Sequence, residues 1–317
     1  MKLISSLIFS IVVLYKLSYG FPQSYDACTE VTYGDKYDTI PDSYDVRTTW
    51  SECISPIREQ KSCGSCWAQV STGLLADKAC IQTGGKIKVT LSPQYMMDCD
   101  GSCTSNSGCN NGCKGGFVGK AFEFLINNGV VPDTCLSYKA SKDDSCPQSC
   151  DDGTPFSNQT KFRASSCQKF PTIQDAQVEI MTNGPVVATL MLYDDFKPYK
   201  WANNIYVKGE NAKTVESHAV RVVGWGKSDS GVLYWIAANS WGSGWGDGGY
   251  FKIIRGTDEV GFEEGFITMT SDDASIPSTY YDLDYELGNG SVFLKPSFII
   301  IFGLIVSYFI LVPLILS

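Results

Sequence analysis

The sequence predicts an α+β protein of two lobes, a helical N-terminal lobe and a β-rich C-terminal lobe. Cys66 to about Ile81 carries Trp67, Val70, Leu74 and the aliphatic stem of Lys78 at helical spacing, and Gly119 to Asn127 reads as a second helix. From about residue 160 the texture changes to short β-rich runs separated by glycine-rich turns. The cysteines crowd into the first, helical half.

In chain order, Met1-Lys2 followed by the apolar run Leu3 to Leu14 and the small residues of Ser18-Tyr19-Gly20 predict a signal peptide over residues 1–20. A membrane anchor is the competing reading, but the apolar core is short and Lys16 interrupts it. Residues 21–40 form a short pro-like segment containing Cys28, too small to bury a core of its own. The compact domain spans 41–270, starting in Ile40-Pro41-Asp42-Ser43-Tyr44. Gly84-Gly85 stops the first long helix. Val186 to Leu190, His218 to Gly224, Val232 to Ala237 and Tyr250 to Ile254 are the expected strands. Residues 271–290 are an acidic linker, and 291–317 form a hydrophobic C-terminal tail.

That tail runs apolar from Phe298 to Leu316, long enough to cross a hydrocarbon layer of about 30 Å. No Lys or Arg follows it, and small residues at Gly288-Asn289-Gly290-Ser291 precede it, which favours a GPI signal over a transmembrane helix. Either reading tethers the protein to a membrane. Asn158 and Asn289 stand in glycosylation sequons. Net charge of −9 argues against a nucleic-acid partner. Thirteen cysteines behind a signal peptide imply an oxidising compartment and disulfides, and the odd count leaves at least one thiol unpaired. The run Cys99, Cys103, Cys109, Cys113 is therefore read as disulfide cysteines rather than zinc ligands, and no metal or cofactor is expected.

The chain has a single histidine, His218. A zinc site of the H-E-x-x-H type is therefore excluded, because it needs two. Cys66 would begin a helix, where unpaired N–H groups and the macrodipole favour a thiolate. An imidazolium nearby would stabilise that anion and later protonate a leaving amine. Asn239 supplies an amide that can orient the imidazole. Gln60 can donate a side-chain N–H which, with the backbone N–H of Cys66, would make an oxyanion hole. Cys66, His218, Asn239 and Gln60 are thus the candidate catalytic residues.

These residues resemble the papain family of cysteine peptidases. Cys63-Gly64-Ser65-Cys66-Trp67 fits the pattern C-G-[SA]-C-[WY] at every position. Cys113-Lys114-Gly115-Gly116, Asn183-Gly184-Pro185, Gly224-Trp225-Gly226 and Asn239-Ser240-Trp241-Gly242 add to it. The resemblance implies a papain-like two-lobe fold with the cleft between the lobes, Cys66 on the helical lobe, and His218 and Asn239 on the β lobe. It implies that Gly115 and Gly116 pair with substrate backbone and that Trp241 shields the His218–Asn239 contact. Peptide or protein substrates and cystatin-like inhibitors are the implied partners, and a lysosome-like compartment or the cell surface the implied location. The implied disulfides are Cys53–Cys80, Cys63–Cys113, Cys99–Cys146 and Cys135–Cys150, with Cys103–Cys109 a weaker pairing. Cys28 pairs with Cys167, caps Cys66 in a zymogen, or is a structural or unpaired cysteine.

Within the family the cysteines resemble the cathepsin B and X branch, with two departures. The short stretch between Cys135 and Cys150 lacks the paired histidines that grip a substrate's C-terminal carboxylate, so endopeptidase activity is expected. Gly265 takes the place of the cathepsin B acid in the S2 pocket, unless the alignment slips onto Glu264; Gly265 implies a preference for apolar P2 residues. A non-enzymatic papain-fold adhesion protein and a different acyl transferase are the alternatives. Retention of Cys66, His218, Asn239 and Gln60 weighs against the first, and the surroundings of Gly115-Gly116 against the second.

Overall fold

The computed structural model describes residues 28–101, 109–143, 145–199 and 204–276. The chain opens with strand β1 (Thr29–Glu30), then β2 (Tyr44–Asp45) and the one-turn helix α1 (Val46–Thr49), whose first turn is capped by the Asp45 carboxylate. Helix α2 (Cys66–Gln82) follows and ends before Gly84 and Gly85, both with positive φ. Helix α3 (Pro93–Cys99) starts from the Ser92 side chain with Pro93 in its first turn, and α4 (Val118–Asn127) completes the helical lobe.

The second lobe contains β3 (Ala164–Phe170), helix α5 (Ile173–Asn183), β4 (Val186–Tyr193), β5 (Thr214–Lys227), β6 (Leu233–Ala238), β7 (Tyr250–Ile254) and β8 (Phe266–Ser271). The strands form one sheet in the order β1-β3-β8-β4-β5-β6-β7, with β2 added to β5. All these pairings are antiparallel except β1 with β3. Alternate residues of a strand point to opposite faces. Val187 of β4 and Ile267 and Met269 of β8 therefore join the helical-lobe core. Val186, Ala188 and Leu190 of β4 and Phe266 of β8 join the core on the other face. The sheet is the wall between two cores, and that second core is aromatic-rich, with Trp225, Trp235, Phe196 and Phe251.

Helix α2 departs from the one-faced helix that the apolar spacing predicts. Every residue from Trp67 to Cys80 is buried, because α2 packs on α3 and α4 on one side and on β5 and β8 on the other. A helix enclosed all round must satisfy its polar residues internally. Lys78 is the clearest case. Its stem packs as the helical spacing implies, and Lys78 Nζ is buried too, donating to Glu179 Oε1 of α5 at 2.8 Å and to the Asn183 carbonyl at 2.9 Å. The residue before it, Asp77, accepts from Arg221 of β5 and from the Ser55 N–H. Both ion pairs join the lobes.

The β-rich half also contains α5, which the strand-like texture hid. Its signal was local: Thr172 caps the helix and Asp175, three residues on, donates its N–H to the Thr172 hydroxyl and accepts the proton of that hydroxyl. Residues 28–40 pack on this helix. β1 pairs with Gln168 and Lys169 of β3, Tyr33 donates through its N–H to Asp175 and through its hydroxyl to Glu179, and Tyr37 donates to Asp175.

Disulfides join Cys28–Cys167, Cys53–Cys80, Cys63–Cys113, Cys99–Cys146 and Cys135–Cys150. Of the roles open to Cys28, the structure has the bond to Cys167; Cys66 is free, so neither the cap nor an unpaired Cys28 is seen. Cys103, Asn289, the linker beyond 276 and the apolar tail lie outside the described residues. No helix among the described residues is long and apolar enough to cross a membrane.

Removing one partner of a buried pair strands the other, at a cost of about 3–5 kcal/mol. Lys78→Met is expected to lower unfolding stability by about that amount in denaturant titration. The double variant Lys78→Met/Glu179→Leu should recover part of the loss; a double variant no more stable than the single one would contradict the assignment.

Candidate active site

Cys66 is the first residue of α2 and is half-buried. It is the free cysteine among the described residues. The helix start lacks a side-chain cap, because Ser65 Oγ bonds the Tyr138 hydroxyl at 2.6 Å instead. The N–H groups of Cys66 and Trp67 consequently stay available to an anion. The N–H groups of Ala219, Trp67 and Cys66 lie close enough to the Cys66 sulfur to favour its thiolate, but burial outweighs them and pushes the thiol up to about 11.

His218 lies near the start of β5's buried stretch and is 3 % exposed. Its Nε2 is 2.8 Å from Asn239 Oδ1, and that oxygen also accepts the Ser240 N–H at 2.8 Å. An amide oxygen facing Nε2 selects the tautomer or imidazolium with a proton there, leaving Nδ1 as the ring's other reactive atom. Trp241 packs over the imidazole with ring centroids 5.1 Å apart. Burial pushes His218 down to about 4, against the Asn239 hydrogen bond, which raises it. Desolvation thus favours the neutral form of both Cys66 and His218. An ion pair must draw on the attraction of its own two charges, worth about 4 kcal/mol at 4 Å and an effective dielectric near 20.

Gln60 is placed by the run 58–60, which lies beside 240–242: Gln60 N–H donates to the Ser240 carbonyl and Gly242 N–H to the Arg58 carbonyl. Its side chain is held at both ends. Ser240 Oγ donates to Gln60 Oε1 at 2.6 Å, and Gln60 Nε2 donates to the Cys63 carbonyl at 2.9 Å. An amide nitrogen has two hydrogens, so one remains for a ligand. Tyr138, from the segment between Cys135 and Cys150, donates to the Gln60 carbonyl at 2.8 Å and ties this loop to Ser65. Sequence reasoning missed Tyr138 and the hydroxyl of Ser240; no spacing marks a tyrosine that reaches 78 residues back along the chain.

Gly115 and Gly116 are docked by the Cys63–Cys113 bond and by Gly64 N–H to the Cys113 carbonyl at 2.9 Å. Gly115 has φ of 103°, which L side chains rarely adopt, and a Cβ on Gly116 would meet Asn110 Oδ1 at 2.5 Å and the Trp67 ring at 2.7 Å. Gly265 precedes β8 and is half-buried, whereas Glu264 is exposed. Glu263 beside them is structural: it accepts from Trp235 Nε1 and from the N–H groups of Gly256 and Asp258.

A half-buried thiol at a helix start, a buried imidazole oriented by an amide, and a second amide held at both ends are the groups that thiol-peptidase chemistry calls for. A family model described as papain family cysteine protease matches residues 40–270. The chain therefore belongs to the papain family and is a cysteine peptidase. It is similar to the gut-specific cysteine proteinase of Caenorhabditis elegans, 36% identical over 249 residues covering 72% of this chain and 73% of that protein. It is equally similar to cathepsin B-like cysteine proteinase 1 of Ostertagia ostertagi, 36% identical over 255 residues and 72% of each chain. Among solved structures, procathepsin B S9 from Trypanosoma congolense superposes with a TM-score of 0.69 at 28% identity, covering 80% of this chain and 85% of that one. Procathepsin L2 from the larval midgut of Tenebrio molitor gives 0.65 at 26% identity, over 79% of this chain and 76% of that one.

His218 carries a pH signature. Its pKa is lower folded than unfolded, so between about 4 and 6.5 the unfolded chain binds the proton and the folded one does not. The stability this neutral histidine allows is complete above about pH 6.5 and is lost as pH falls toward 4. Thermal midpoints of the wild type should fall more steeply across that window than those of His218→Gln. Parallel curves would mean that His218 is already charged in the fold.

Proposed function

We propose that this peptidase cuts within polypeptide chains, with Cys66 as nucleophile and His218 as its acid–base partner. The observation that carries the reading is the His218 Nε2–Asn239 Oδ1 contact, which commits one ring nitrogen to the amide and frees Nδ1 for the thiol. In this mechanism Nδ1 takes the Cys66 proton as sulfur attacks the scissile carbonyl. The oxygen of the tetrahedral adduct takes up charge between the remaining Gln60 Nε2 hydrogen and the Cys66 N–H. The proton on Nδ1 passes to the departing amine, and the C–N bond breaks to leave a Cys66 thioester. A water, deprotonated by the same nitrogen, then attacks the thioester and releases the acid.

Gly115 and Gly116 would pair with substrate backbone, and Gly265 would leave the S2 pocket without an acid, so apolar P2 residues are preferred. The sole histidine of the chain is committed to Asn239. No imidazole is left to hold a substrate's terminal carboxylate, which supports endopeptidase over carboxypeptidase action. Asn158 is exposed and accessible to glycosylation. With the signal peptide, the Asn289 sequon and the apolar tail, this supports an enzyme of the secretory pathway tethered on the lumenal or cell-surface side, where cystatin-like inhibitors would meet it. A maturation cut within residues 29–40 would leave the upstream piece attached through Cys28–Cys167.

An epoxysuccinyl thiol probe should label Cys66 without prior reduction of the protein and should not label Cys66→Ala. An internally quenched peptide blocked at its C-terminus should be cleaved with an apolar residue at P2. Removal of C-terminal residues from free peptides with no internal cut would sink the endopeptidase reading; absent labelling of matured, folded protein would sink the nucleophile. Ser240→Ala removes the hydroxyl that orients the Gln60 amide, a contact worth about 1 kcal/mol. It is expected to lower kcat about fivefold with little change in KM, and an equal loss confined to KM would place Gln60 in substrate binding instead.

A further inference from the structure

Behind the catalytic amide, between the lobes, lies a small cavity whose wall includes Arg58, Gln69, Arg221, Asn239 and Ser240. Its volume is ≈ 10 Å³, room for about one water-sized particle. Four buried nitrogens of its wall residues have no hydrogen-bond partner among the described residues: Arg58 Nε and Nη2, Asn239 Nδ2, and Gln69 Nε2, which still lies near enough to the Tyr138 hydroxyl to act on it. All four are donors.

The orientation of Asn239 is not arbitrary. Its oxygen is used twice, by His218 and by the Ser240 N–H, so its nitrogen faces away from the imidazole. Arg58 is similarly fixed, with Nη1 donating to the Leu91 carbonyl at 3.0 Å and its own carbonyl held by Gly242. Arg221 is already matched, to Asp77 and the Ser55 carbonyl. Arg58 has no carboxylate in ion-pair contact among the described residues; Asp133 and Asp77 act on it only at longer range. Burial, with Arg221 nearby, pushes its guanidinium down to about 10, so it stays charged at neutral pH.

A water could accept two of these N–H groups but would then have two O–H groups of its own to place. A monatomic anion accepts several and donates none, and it offsets the buried charge of Arg58. We propose that this cavity is a chloride site, in which the ion accepts from Arg58 and Asn239, with Gln69 in the same wall, and braces the amide that orients His218. The proposal stands apart from the peptidase reading, because it is tested without turnover.

Thermal midpoints of the full chain are compared in sodium chloride and in sodium gluconate, whose anion is too large, at equal ionic strength. Crystals grown in bromide are measured for anomalous scattering. Expected are a saturable chloride increment of about 2–4 °C and a bromide peak between Arg58 and Asn239. Arg58→Met should abolish the increment; if that variant does not fold, Gln69→Leu should weaken it. Equal midpoints, an increment without a peak in the cavity, or a peak without an increment would each overturn the proposal.

Discussion

The interaction on which the rest of the structure depends is the pairing of two consecutive charges in the middle of α2. Asp77 is matched by Arg221 and Ser55, and Lys78 by Glu179 and Asn183, all in surroundings from which water is excluded. A stranded charge there costs several kcal/mol. The helical lobe therefore has one energetically acceptable register against the β lobe. The same helix bears Cys66 at its first residue, and the strand that supplies Arg221 bears His218 three residues earlier. One lock thus fixes the elements that carry Cys66 and His218 against each other. Tyr33 extends it by donating to Glu179, so the N-terminal segment belongs to the same network.

Around that frame the site is organised by competition for hydrogen bonds. Ser65 gives its hydroxyl to Tyr138 rather than to the helix it precedes, which keeps the N–H groups of Cys66 and Trp67 for an anion. Gln60 spends its oxygen on Ser240 and half its nitrogen on Cys63, leaving a single directed N–H. Asn239 spends its oxygen on His218 and Ser240. Burial works against both charges the chemistry needs, raising Cys66 and lowering His218. Fixed dipoles at the helix start and the mutual attraction of thiolate and imidazolium must supply the compensation, and fixed dipoles do so without reorganising.

Much of this was legible without coordinates. The helix from Cys66 was expected to about Ile81 and ends at Gln82; the strand Tyr250–Ile254 has its expected bounds. These segments have a strong period or clear glycine boundaries. Helix α5 was missed because Val178, Ile180 and their neighbours lie within a half whose texture is that of strands, although Thr172 and Asp175 marked its start. The ion pair of Lys78 was not legible, because local spacing reports which face of a helix is apolar, not whether a second lobe closes over the other face.

The chain's own letters supplied the motif of a thiol peptidase: one histidine, a cysteine in a helix-starting motif, an amide downstream, and an even set of remaining cysteines. Those are properties of residue types and short spacings, carried by the chain before it folds. Tertiary structure alone decided how the parts are held. Asn239 meets His218 across 21 residues, Arg221 meets Asp77 across 144, and Tyr33 meets Glu179 across 146. No local pattern encodes such contacts. They arise because desolvated polar groups must find partners, and only the packed arrangement of both lobes determines which partners are within reach.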